Sequence, residues 1–134
     1  MTIVNIQSMF AFDVGRLLSW IESQGYQATW GESWRSQVEA WINALVPGCT
    51  LQALKNDLTI NTYSTPVGGY GIQNSLHCER LAVDLNIFID GKLVEDKATL
   101  QPIGDYWESL SPMNHWGGNF TTRPDTDHFE RRPT

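Results

Sequence analysis

The stretch "RLAVDLNIFIDGKLVED", residues 80–96, places the strongest constraint on the fold. An apolar, β-branched run leads to Asp90–Gly91, and a second short run follows. An Asp-Gly pair between two such runs is a strong signal for a β-hairpin. We therefore expect two antiparallel strands. Alternation along the first strand puts Asp84 and Asn86 on one face and four apolar residues in the core: Leu81, Val83, Leu85 and Ile87.

Residues before the hairpin show helical periodicity. An apolar stripe with helical spacing predicts an amphipathic helix formed by Phe10, Val14, Leu17, Leu18 and Ile21. We expect it to begin near Ser8 and to end at Gly25. The stretch "YQATWGESW", residues 26–34, predicts a short strand with a weak point or bulge at Gly31.

The remaining segments alternate between helical and turn signals. A capping box at Ser36 and Glu39 predicts a second helix over 36–46, and 50–58 a short third helix. Residues 64–72 predict a glycine-rich loop, and residues 102–112 predict another helix. The stretch "NHWGGNF" predicts a turn, and residues 123–130 predict a turn that leads into a last strand. We therefore predict one α+β domain over residues 1–134, with N-terminal helices packed on a small antiparallel sheet.

Charge and composition exclude several functions. The 134 residues carry a formal net charge of -6, which has the wrong sign for contacts with nucleic-acid phosphates. No apolar run reaches the roughly 20 residues of a membrane span. The N-terminus lacks a cationic leader, so we expect synthesis in the cytoplasm, with Cys49 and Cys78 as free thiols.

The candidate chemistry lies in three histidines and two aspartates. Histidine and carboxylate are common zinc ligands, and a catalytic zinc site usually has three protein ligands and one open position. His77, Asp84 and His128 would supply such a set. Asp125 lies three residues before His128 and could act as a base beside the open position. A set with His115 in place of Asp84 is chemically sound as well.

Three motifs resemble one enzyme family. "SLHCERLAVDL", "WGGNF" and "DTDHFE" resemble the zinc D-alanyl-D-alanine carboxypeptidases and dipeptidases, which include the L-alanyl-D-glutamate endopeptidases of phage endolysins. The family pattern is S-x-H-x6-D, then W-G-G, then D/E-x-x-H. The matching positions are Ser75, His77, Asp84, Trp116–Gly117–Gly118, Asp125 and His128. Upstream, "GESWRS" resembles the segment that carries the family's arginine, here Arg35.

The resemblance implies a hedgehog and D,D-peptidase type of fold and a role for each residue. His77, Asp84 and His128 would bind Zn²⁺, which favours Asp84 over His115. Asp125 would be the catalytic base and Arg35 would stabilise the oxyanion. Substrate would contact Ser75 and Trp116, although Ser75 could instead orient His77 and Trp116 could belong to the core.

The implied substrate is the stem peptide of peptidoglycan. Without a leader, the chain fits a monomeric phage-type endolysin that reaches the cell wall after the membrane is permeabilised. Many family members have glycine four residues before the ligand aspartate, whereas this chain has Arg80. That departure argues against transferring the substrate preference of the carboxypeptidases to this chain. Three alternatives to the endolysin stay open: a D-alanyl-D-alanine carboxypeptidase or dipeptidase, an inactive zinc-bearing binding domain, and a structural protein with a chance pattern.

Overall fold

A computed structural model of the protein describes residues 1–34 and 75–133. Four predicted features lie outside these residues: the helices at 36–46 and 50–58, the loop at 64–72, and the thiol of Cys49. Within the described part, two helices and five strands form an α+β fold, which confirms the predicted fold class. No described helix is long and apolar enough to span a membrane.

Helix α1 runs over Ile3–Ser23. The side chain of Thr2 caps it by accepting a hydrogen bond of 3.2 Å from the backbone N–H of Asn5. The predicted start near Ser8 is therefore wrong, because the apolar stripe marks only the part of the helix that is buried. The predicted end is confirmed, since Gly25 takes the left-handed conformation (φ +78°) that favours glycine.

The sheet is antiparallel throughout and is organised around one long strand. Its strands are β1 (Gln27–Trp30), β2 (Ala82–Ile89), β3 (Lys92–Val94), β4 (Asn114–Trp116) and β5 (His128–Arg131). The order is β1-β2-β5-β4, and β3 pairs with the end of β2. The predicted hairpin is confirmed: Asp90 and Gly91 both have positive φ, at 51° and 74°, as a type I′ turn requires.

Two predictions in the second half of the chain need correction. Helix α2 runs over Lys97–Ser109, capped by the side chain of Asp96, so it begins five residues before the predicted start at Pro102. Pro102 lies inside the helix rather than at its first turn. The segment predicted as a turn, "NHWGGNF", begins with β4 and continues into a 3₁₀ turn over Gly117–Asn119.

The hydrophobic core lies between the two helices and the sheet. It contains the stripe of α1, the alternating apolar residues of β2, and large side chains from α2, β4 and β5, including Leu17, Leu85, Trp107, Trp116 and Phe129. The predicted orientation of β2 is confirmed, because its odd-numbered residues from Val83 to Ile87 are buried while Asp84 and Asn86 are partly exposed.

A buried polar cluster joins α1 to the last two strands. The Arg131 guanidinium, 0% exposed, donates from Nη2 to Asp13 and from Nε to Asn114 Oδ1 at 2.9 Å. Asn114 Nδ2 donates to Asp13 Oδ2 at 3.2 Å and to the carbonyl of Trp107 at 3.1 Å. Buried charges are tolerated when paired in this way, so the cluster fixes the position of β5 against α1.

Candidate metal centre

His77 is positioned by a tight turn just before β2. The Ser75 hydroxyl accepts a hydrogen bond of 3.2 Å from the backbone N–H of His77, and Leu81 N–H closes the turn on the carbonyl of Leu76 at 2.9 Å. Arg80 completes the turn in the left-handed region, with φ 57°. That conformation gives a physical reason for glycine at this position in many family members, because L side chains are strained there.

Asp84 and His128 meet across two neighbouring strands. They are directly paired in the register of β2 and β5, so their side chains leave the same face of the sheet. Asp84 lies in the strand that sequence alternation predicted, and its carboxylate points away from the core. The turn at 76–80 then brings His77, 3% exposed, onto the same face.

The three side chains converge on one point. Asp84 Oδ1 lies 3.3 Å from His77 Nε2 and 3.1 Å from His128 Nδ1, and the donor atoms of all three residues lie within 4.8 Å of one another. Tetrahedral zinc with bonds of about 2.0–2.1 Å places its ligand atoms roughly 3.3 Å apart. The donor types and their spacing therefore fit a metal ion held by two histidines and one aspartate.

His115 does not join this group. It lines the same cleft, but His77, Asp84 and His128 are the one group of three donors that the described residues bring together. The structure therefore brings together the set containing Asp84, and it does not assemble the alternative of three histidines.

The electrostatics of the group favour a charged aspartate. Burial alone would raise the pKa of Asp84, but hydrogen bonds from His128 and His77 and their charge lower it to about 2. Burial alone would lower the pKa of His128, but its hydrogen bonds with Asp84 and Glu130 raise it to about 9. Without a metal ion, a proton on the His128 ring therefore supplies the positive charge between two carboxylates.

Glu130 is a member of the site that the sequence analysis missed. Its Oε2 lies 2.7 Å from His128 Nε2, on the side of the ring opposite Asp84, and its other oxygen accepts a hydrogen bond from Arg132 Nε. The signal for it was the H-x-E spacing, since residues i and i+2 of a strand share one face.

Asp125 lies in the loop before β5, with a second aspartate beside it. Its carbonyl accepts from the N–H of His128 at 3.2 Å, and its own N–H donates to the carbonyl of Gly117 at 2.9 Å. Asp127, which the sequence analysis does not include among the site residues, lies in this loop and shares a hydrogen bond with Asp125. Burial, that hydrogen bond and the charges of Asp125 and Asp84 raise the pKa of Asp127 to about 7.

The Trp-Gly-Gly motif, residues 116–118, packs against the loop that precedes β5. Trp116 is fully buried, and its indole N–H donates to the carbonyl of Thr126 at 2.9 Å. A side chain at Gly117 would bring its Cβ to 2.1 Å from the carbonyl oxygen of Asp125, so glycine is required there for close approach. Trp116 is fully buried where it lines the cleft, so it supports the cleft wall, and its contact with substrate stays a prediction.

The cluster opens into a cleft of about 960 Å³. Its walls come from the turn before β2, the 3₁₀ turn, the loop at 121–125 and the last strand. Asp125, Glu108 and Phe120 line it together with the three candidate ligands. Arg35 lies outside the described residues, and its role stays a prediction, as do the contacts of Ser75 and Trp116 with substrate.

Comparison with known proteins supports the motif analysis. Residues 69–131 match the model of a peptidase family described as D-alanyl-D-alanine carboxypeptidase. The predicted resemblance to this family is confirmed over these residues. The matched stretch contains the candidate ligands and Asp125, so the family match and the geometry of the site rest on the same residues.

The chain is also similar to a solved structure, the L-Ala D-Glu endopeptidase ChiX of Serratia marcescens. The two share 16% sequence identity with a TM-score of 0.47, over 78% of this chain and 66% of that one. The chain thus spans slightly less than two thirds of that protein. No curated protein sequence matches the chain.

Proposed function

We propose that this protein is a zinc-dependent peptidase that hydrolyses the stem peptides of peptidoglycan. The observation that carries the proposal is the convergence of His77, Asp84 and His128 in a cleft within the stretch that matches the peptidase family. A buried histidine, a charged aspartate and a second histidine are the ligand types of catalytic zinc.

Each side chain would have a separate task. Zinc bound by the three residues would supply a water whose pKa is lowered to about 7. Asp125 would accept the proton of that water and return it to the leaving amine. Arg35 is proposed to stabilise the oxyanion, a role that suits a permanently charged guanidinium.

Within this activity, we favour the phage-type L-alanyl-D-glutamate endopeptidase. The motifs resemble the endolysin members, and the left-handed Arg80 replaces the glycine of many carboxypeptidases. We further propose that the protein is made in the cytoplasm and acts on the cell wall once the membrane is permeabilised.

A second candidate is a D-alanyl-D-alanine carboxypeptidase, which the description of the matching family favours. Mass spectrometry of digested peptidoglycan separates the two. An endopeptidase exposes the α-amino group of D-glutamate, whereas a carboxypeptidase releases D-alanine and leaves the rest of the stem intact.

The decisive experiment compares the wild type with Asp125→Asn, loaded with one equivalent of zinc. We expect the wild type to hydrolyse peptidoglycan, and the variant to bind zinc normally yet lose turnover by roughly 100-fold or more, as removal of a general base usually costs 10²–10⁴. Glu79→Gln, an exposed carboxylate of the turn before β2, is the matched control. Zinc binding without hydrolysis in the wild type would support the inactive binding domain.

A further inference from the structure

The His128 ring is held between two carboxylates that have different positions relative to the candidate metal site. Its Nδ1 faces Asp84 Oδ1 at 3.1 Å, within the group of three donors. Its Nε2 faces Glu130 Oε2 at 2.7 Å. The two nitrogens of an imidazole point in diverging directions, so Glu130 cannot bind the same ion as Nδ1 and lies behind the ligand instead.

Glu130 is itself fixed. The residue is 6% exposed, and its second carboxylate oxygen is paired with Arg132 Nε. The Arg132 guanidinium lies over the Phe120 ring, 5.1 Å from the ring centroid, and Phe120 in turn packs against His128 at 5.8 Å. The carboxylate therefore has both oxygens engaged and little freedom to leave the histidine.

We propose that Glu130 is a positioning residue that fixes His128 as the Nε2–H tautomer and so presents the Nδ1 lone pair to the metal. A neutral imidazole carries one proton, and the nitrogen that donates a hydrogen bond leaves the other free to bind. A carboxylate behind a ligand histidine also raises its basicity, and loss of such a partner typically costs 10–100-fold in metal affinity. Arg132 holds Glu130 in the orientation that this contact needs.

The other histidine lacks an equivalent partner in the described part of the chain. His77 Nδ1 is buried, and no described residue forms a hydrogen bond with it. Among the described residues, His128 is therefore the candidate ligand whose second ring nitrogen is held by a carboxylate. The inference rests on the proposed zinc site, because the benefit of fixing a tautomer is realised only when an ion is bound.

The test measures zinc affinity by competition with a chromophoric chelator in four proteins: wild type, Glu130→Gln, Glu130→Ala and Glu79→Gln. We expect Glu130→Ala to weaken zinc binding by about 10–100-fold. Glu130→Gln should weaken it less, since an amide oxygen still accepts from Nε2–H. Glu79→Gln removes an exposed charge two residues from His77 and should bind like the wild type.

A spectroscopic measurement separates positioning from folding. The ¹⁵N shifts of His128 in the zinc-loaded protein should report Nε2–H with Nδ1 bound in the wild type, and Co²⁺ absorption should change in Glu130→Ala while circular dichroism does not. Equal zinc affinity and equal Co²⁺ spectra in all four proteins would overturn the inference. If the wild type itself binds no zinc, the proposed function fails first.

Discussion

Strand β5 presents side chains with different environments on its two faces. His128 and Glu130 point to the cleft, where His128 lies close to Asp84 and Glu130 is buried behind the His128 ring. Phe129 and Arg131 point to the core, where Arg131 is completely buried and paired with Asp13. Four consecutive residues therefore serve a candidate metal centre on one side and the packing of α1 on the other.

The difference shows how a small fold can separate stability from chemistry. On the core face, the charge of Arg131 is matched by a carboxylate and an amide within the protein. On the cleft face, Asp84 is hydrogen-bonded by His128, whose ring proton a bound metal ion would displace. Substitutions on the two faces should consequently change different measured quantities.

The largest effect is expected from His128→Ala on the cleft face. Removal of a direct ligand should weaken zinc binding by more than the roughly 100-fold that loss of an outer partner costs, and hydrolysis of peptidoglycan should disappear with it. Above pH 9, where the His128 ring carries no proton, the free energy of unfolding of the metal-free protein should change little, because the ring lies at the cleft. Zinc titration and urea unfolding in the presence of a chelator measure the two quantities; a variant that keeps full zinc affinity would exclude His128 as a ligand.

The complementary change on the core face is Arg131→Met. It leaves the buried Asp13 with Arg16 as its remaining cationic partner in the described part of the chain, and loss of the buried hydrogen bonds to the guanidinium should destabilise the protein by about 1.5–3 kcal/mol. Zinc stoichiometry below the unfolding transition should stay the same. The double variant Asp13→Leu with Arg131→Met should recover much of the lost stability, since it removes both charges. If the double variant is no more stable than Arg131→Met, the arginine acts mainly through packing.

The free energy of unfolding of the metal-free protein should depend on pH through His128 on the cleft face. The folded pKa of His128, about 9, lies above its ordinary value of 6.5, so the stabilisation is fully present below pH 6.5 and is lost as the pH rises to 9. We expect the metal-free protein to lose on the order of 2 kcal/mol over this window, and His128→Ala to lose none of it. Apparent zinc affinity should rise over the same window, because zinc displaces this proton. A flat stability profile would contradict the contacts with Asp84 and Glu130.

The smallest expected effect concerns Asp127. Its pKa is raised to about 7 in the folded protein, so ionisation destabilises the fold progressively as the pH rises from 3.8 to 7. Asp127→Asn should therefore be more stable than the wild type by about 1–2 kcal/mol at pH 8, allowing for solvent screening, and equal to it at pH 3.5. Urea unfolding at the two pH values measures the difference; equal stability at both would show that the pair of aspartates is well solvated.

The sequence predicted the central strand and the grouping of His77, Asp84 and His128, because both depend on local patterns. The Asp90–Gly91 turn fixes the hairpin, and period-two alternation places Asp84 opposite the core. The pairing of Asp84 with His128 is a non-local register, and only the spacing in the family motifs pointed to it. Helix α2 was predicted too short because Pro102 favours a first turn, whereas the cap at Asp96 starts the helix earlier.

The missed members of the site depend on tertiary contacts. Glu130 and Asp127 look like surface acids in the sequence, and their roles arise from a 2.7 Å contact with His128 and a hydrogen bond with Asp125. Trp116 looked like a possible cleft wall, but only the structure shows its burial behind Gly117. Such contacts leave no periodic signal along the chain.

The most direct test of the whole account is the zinc content of the purified protein, measured by mass spectrometry after dialysis, for the wild type, His128→Ala and Arg131→Met. We predict one zinc per chain in the wild type and in Arg131→Met, and none in His128→Ala. Zinc absent from the wild type, or equally present in His128→Ala, would contradict the assignment of the cleft face of β5 to a metal centre.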